Sequence, residues 1–109
     1  KTMSDYSQLS VGELLAALDE LDSNAVMLVT FVDIEAAREC YDEVCITVSH
    51  IPTKVGMNRA VIASAIGKSI YGKSDEPTIV NEQSLVRAGD WSSGSEPVTK
   101  EYIENQMFE

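Results

Sequence analysis

The sequence predicts an α+β fold, a small mixed sheet of about three strands packed by helices, with a three-layer α/β arrangement as the alternative. Three observations carry that expectation. A capped amphipathic pattern opens at Ser10, and apolar and polar residues alternate through "EVCITVSH". A length of 109 residues leaves room for one core, so 1–109 reads as a single acidic domain.

Ser10 and Glu13 form the S-x-x-E capping box, with Leu9 and Leu14 where a hydrophobic staple closes. Val11, Leu14, Leu15, Leu18 and Leu21 recur along one helical face, and "DSN" ends the helix. The next stretch, "AVMLVTFV" (Ala25 to Val32), is short and valine-rich and reads as a buried strand. Asp33 reads as the cap of a short helix through "IEAAREC", with Glu35 near its positive end. In "EVCITVSH", Val44, Ile46 and Val48 share one face and Cys45, Thr47 and Ser49 the other, a half-buried strand that Pro52 stops. From Met57 to Tyr71 the residues Val61, Ile62, Ala65, Ile66, Ser69 and Ile70 predict a helix ending at Gly72. "PTIV" adds a short strand, and "NEQSLVRAG" a short helix from an Asn81 cap to a Gly89 stop. Residues 88–98 read as a surface loop, and Thr99 caps a final helix over 99–108 with Ile103 and Met107 inward.

Charge narrows the function classes. Eighteen acids against eight Lys and Arg give a net charge of −10, which opposes non-specific nucleic-acid binding. The distribution is uneven. Residues 1–43 balance to −8 and 75–109 to −6, whereas 44–74 hold Lys54, Arg59, Lys68 and Lys73 and no acid. Acidic flanks can therefore attract the basic middle within the fold. The longest nearly apolar stretch has eight residues, against about 20 for a membrane span. "KTMSDYSQ" lacks the regions of a signal peptide, and two cysteines make no disulfide framework, so no membrane contact and a cytoplasmic location are expected.

"GKSIYGKS", Gly67 to Ser74, matches the phosphate-cradling pattern G-x-x-x-x-G-K-S. That motif needs a strand before the loop and a helix after it, so that helical N–H groups face the phosphates. Here the glycines follow a helical pattern, and "DEP" comes next. "LVTFVD" ending in Asp33 resembles a magnesium-holding strand but precedes the loop. The plain reading is a glycine helix stop with Lys68 and Lys73 complementing the dipole. No cofactor is expected.

The other end of that helix is the better anion site. Thr53, Lys54, Asn58 and Arg59 surround a helix start, where N–H groups and two cations can converge on a phosphate or carboxylate. Cys40, Cys45 and His50, even with Glu39 or Asp42, do not follow the usual spacing of a zinc site, and no metal is expected. No oxyanion hole or base signals a cysteine nucleophile. Asp19, Glu20 and Asp22 read as a solvated face or, more sharply, as an acidic surface for a basic partner. Trp91, alone in a polar loop, either folds onto the core or anchors a partner.

The leading expectation is a non-enzymatic interaction protein, an adaptor, inhibitor or immunity-like module of the kind found among phage and bacterial accessory proteins. It would bind a basic protein surface through Asp19, Glu20, Asp22 and Trp91. The alternative is a small-molecule or nucleotide-phosphate binder using Thr53, Lys54, Asn58 and Arg59 for a phosphorylated ligand, at an interface of a homo-oligomer. An enzyme ranks third.

Overall fold

A computed structural model of the chain describes residues 7–37, 42–71, 76–90 and 94–108. Its elements are α1 (Val11–Asp19), β1 (Val26–Met27), β2 (Thr30–Ala36), β3 (Val44–Ser49), β4 (Thr53–Lys54), α2 (Val55–Ala65), β5 (Ser69–Ile70), β6 (Thr78–Ile79), β7 (Val86–Asp90), β8 (Gly94–Pro97) and α3 (Lys100–Asn105). The main sheet has the order β2-β3-β7-β8, antiparallel except for the parallel β3–β7 pair. Two short ribbons, β1–β4 and β5–β6, flank it. This is the α+β architecture, with four strands in the sheet. No helix among the described residues is long and apolar enough to cross a membrane.

The alternation in β3 decides which face is core. Val44 and Ile46 align with Ala36 and Ile34 on one side and Val86 and Ala88 on the other. Apart from Ala36, which is partly buried and packs against them, these residues are buried and join one cluster with Val11, Leu14 and Leu18 of α1 and Val55 and Ile62 of α2. Cys45 points to the opposite face, aligned with Glu35 and Arg87. Arg87 there donates from Nε to Ser95 Oγ (2.9 Å) and from Nη2 to the Ser95 carbonyl (3.0 Å), tying β7 to β8.

The α1 start behaves as the capping box requires. Glu13 N donates to Ser10 Oγ (3.2 Å), and Ser10 N donates to Glu13 Oε1 (2.9 Å). Leu9 and Leu14 are both buried. Thr99 likewise caps α3, its Oγ1 accepting from Tyr102 N (3.0 Å). Ile103 is buried and Met107 packs against the core.

Two turns of matching geometry close the helix starts. In Asp22–Ala25, Asn24 N donates to Asp22 Oδ1 (2.9 Å) and Ala25 N to the Asp22 carbonyl (2.9 Å). The carbonyls of Ala25 and Ser23 then accept from Val55 N and Gly56 N, both at 2.9 Å. In Asn81–Ser84, Gln83 N donates to Asn81 Oδ1 (2.8 Å) and Ser84 N to the Asn81 carbonyl (3.1 Å). The carbonyls of Ser84 and Glu82 accept from Val11 N (2.8 Å) and Gly12 N (2.9 Å). Each helix opens with Val-Gly, and a Cβ on either glycine would sit 3.2 Å from the carbonyl oxygen of Ser23 or Glu82. The glycines admit this close approach.

Several expectations are corrected. "AVMLVTFV" is not one strand but β1 and the beginning of β2. Asp33 and "IEA" lie in β2 rather than starting a helix, because Ile34 to Ala36 pair with Val44 to Ile46; residues 38–41 lie outside the described set. A bulge at Val32 lets Phe31 and Ile34 both face the core, which hides the period of two in the sequence. The helix expected over Met57 to Tyr71 ends at Ala65, and Gly67, with φ of +90°, is its terminating glycine in place of Gly72. Ser69 and Ile70 continue the helical spacing but pair with Ile79 and Thr78. "NEQSLVRAG" is a turn followed by β7, because Val86 to Gly89 align with Val44 to Thr47. The loop expected over 88–98 contains the end of β7 and β8, an antiparallel pair with Asp90 opposite Gly94. The helix expected over 99–108 is helical only over Lys100–Asn105. Beyond it Met107 bridges to Met27, and Phe108 N donates to the Val26 carbonyl (2.9 Å).

Candidate functional site

α1 ends in a charge arrangement that its own dipole disfavours. Its last turn holds no basic residue, and Asp19, Glu20 and Asp22 are all exposed near the negative end. The three do different things. Asp19 takes a two-pronged ion pair from Arg59, with Nη2 3.2 Å from Oδ2 and Nε on Oδ1. That contact holds the Arg59 guanidinium above its ordinary value, first through the hydrogen bond and then through the charge of Asp19. Asp22 accepts from Asn24 N and shapes the turn. Glu20 has no ion pair among the described residues.

The expected anion site does not assemble at the start of α2. The first two amides already donate to the Ala25 and Ser23 carbonyls. Asn58 is fully buried: its Oδ1 accepts from Phe31 N (2.8 Å), and its Nδ2 donates to the Val29 carbonyl (2.9 Å) and faces Met27 Sδ (3.3 Å). Thr53 pairs with Met27 in β4, and Arg59 is engaged by Asp19. Lys54 alone of the four remains exposed without a side-chain bond in the cap. The two candidate sites meet through Arg59, which neutralises part of the acidic one.

"GKSIYGKS" runs in the order helix, glycine, strand. Gly67 N donates to the Val80 carbonyl (2.8 Å) and Val80 N to the Lys68 carbonyl (2.9 Å), which starts the β5–β6 ribbon. Lys68 Nζ reaches Asp33 Oδ1 (2.9 Å) and the Ile34 carbonyl (3.0 Å). The lysine holds the Asp33 carboxyl below its usual value, by its hydrogen bond first. Asp33, the acid that resembled a magnesium ligand, is thus held in an ion pair with Lys68 on the outer edge of β2, while Lys73, the lysine of the pattern, is not among the described residues. Residues 72–75 lie outside the described set.

Cys45 and His50 have different surroundings. Cys45 is on the face with Glu35 and Arg87, where burial pushes its thiol up against the lowering contacts of Ser95 and Arg87. His50 lines a cleft of about 220 Å³ with Val29, Val48, Ala88, Gly89, Glu96, Tyr102 and Gln106. Cys40 and Trp91 lie outside the described residues. Among the described residues no group of three His, Cys, Asp or Glu could hold a metal ion.

The cleft is the feature that sequence reasoning missed. It draws on five segments, and the nearest local signal is Tyr102 and Gln106, one turn apart at the last helix. Burial, and then the charges of Glu96 and Cys45, push the Tyr102 hydroxyl up to about 12. No family model, no curated protein and no solved structure matches the chain.

Proposed function

We propose that the chain is a non-enzymatic interaction protein, an adaptor, inhibitor or immunity-like module, that meets a basic partner surface through the acidic end of α1. One observation carries this reading. Two cations of the acid-free middle segment are drawn into internal pairs, Arg59 with Asp19 and Lys68 with Asp33. Glu20 and Asp22 stay exposed without an ion pair among the described residues, at a helix end whose dipole they do not complement. A partner's lysines or arginines would relieve that repulsion, and the net charge of −10 would speed their encounter.

The test is affinity capture on the immobilised chain, followed by association kinetics of the captured protein. Glu20→Lys with Asp22→Asn removes the charge while keeping an acceptor for Asn24 N. Glu104→Lys with Glu101→Gln makes the same change in net charge elsewhere. The first pair should slow association roughly tenfold, with little effect on dissociation, and rising salt should weaken the wild-type complex. Equal slowing by both pairs would mean that net charge alone acts, and the proposed surface would be wrong.

A further inference from the structure

We propose that the cleft between α3 and the sheet binds a short aliphatic cation, an ammonium or guanidinium on a stem the size of a lysine or arginine side chain. Val29, Val48 and Ala88 line its apolar part, and His50, Glu96, Tyr102 and Gln106 bring polar groups. Among the described residues none of these four side chains makes a hydrogen bond or ion pair within the fold. Tyr102 and Gln106 are partly buried, and His50 and Glu96 are exposed at the rim. A cleft whose polar lining is not tied up within the fold is open to a ligand.

The charge selects the ligand. Glu96 contributes a carboxylate, and no lysine or arginine lines the cleft. An anion would be repelled by Glu96, and a neutral ligand would desolvate the carboxylate without pairing it. The raised Tyr102 hydroxyl stays a neutral phenol, offering lone pairs and a ring face to a cation. The stem lies along Val48, the partly exposed residue of the apolar lining, as lysine and arginine stems cover apolar surface. At about 220 Å³ the cleft is below the size of pockets that hold drug-sized molecules, which begin at about 300 Å³.

The experiment is a backbone-amide NMR titration of the whole chain with n-butylammonium chloride, against sodium butyrate and n-butanol at matched ionic strength. Butylammonium should give saturable shifts at Val48, Gly89, Glu96 and Gln106, butanol weaker ones and butyrate none. Glu96→Gln, at an exposed edge-strand position, should keep the fold and weaken butylammonium binding roughly tenfold. The Glu20→Lys, Asp22→Asn variant should bind butylammonium as the wild type does, so this site and the acidic surface can fail separately. A Gly-Lys-Gly peptide that binds more tightly than butylammonium supports the site and assigns the cation to a partner's lysine. The reverse order supports it as a site for free amines. Shifts that do not saturate, that butyrate reproduces, or that Glu96→Gln leaves undiminished overturn the proposal.

Discussion

Asn58 joins α2 to the outer edge of β2, where Phe31 N and the Val29 carbonyl have no strand partner on that side. An unpaired edge invites pairing with another chain, and here a buried amide and Lys68 cover it from within. Asn58→Ala would strand a buried donor and a buried acceptor together. It should lower stability by about 3 kcal/mol, read as a fall in the urea midpoint with an unchanged slope. A variant as stable as the wild type would mean that water replaces the amide. The sequence presented Asn58 as part of an anion site, because polar residues near a helix start usually act on that start. Only the distant Val29 and Phe31 backbone reveals its role, and no spacing in the sequence encodes that meeting.

At the scale of elements, what was legible is what closes within one turn. The Ser10–Glu13 box, the β3 alternation and the Thr99 cap each rest on residues a few positions apart, and each is present. Ser10→Ala should cost about 1 kcal/mol, measured by thermal or urea denaturation, because Glu13 N loses its acceptor. An unchanged midpoint would show that the turn at 81–84 closes α1 without the side chain. Elements fixed by distant partners were not legible. Ser69 and Ile70 keep the helical spacing of α2, yet Gly67 ends the helix and the Thr78–Ile79 strand claims them. Val86 to Ala88 looked helical between Asn81 and Gly89 until the parallel edge of β3 took the segment as its neighbour. The cleft was invisible for the same reason, since Val29, His50, Glu96 and Tyr102 come from separate parts of the chain.

Across the whole molecule, repulsion among 18 acids opposes a compact state that the described residues offset with only two ion pairs, both exposed. Sodium chloride should therefore raise the melting temperature at neutral pH, as the screening length falls from about 10 Å at 0.1 M toward about 3 Å at 1 M. A falling melting temperature would mean that attraction between the basic middle and the acidic flanks exceeds the repulsion. The twin turns bear on how such a molecule assembles. α1 precedes its turn in the chain, and its first two amides wait for the carbonyls of Ser84 and Glu82, while those of α2 use Ala25 and Ser23. Neither helix can finish its own beginning. A nascent chain would carry a frayed α1 until residue 84 has been made, so this helix start closes only after its distant turn is present. When unfolding starts, release of either turn opens a helix far from it in sequence, which couples distant segments in one cooperative transition.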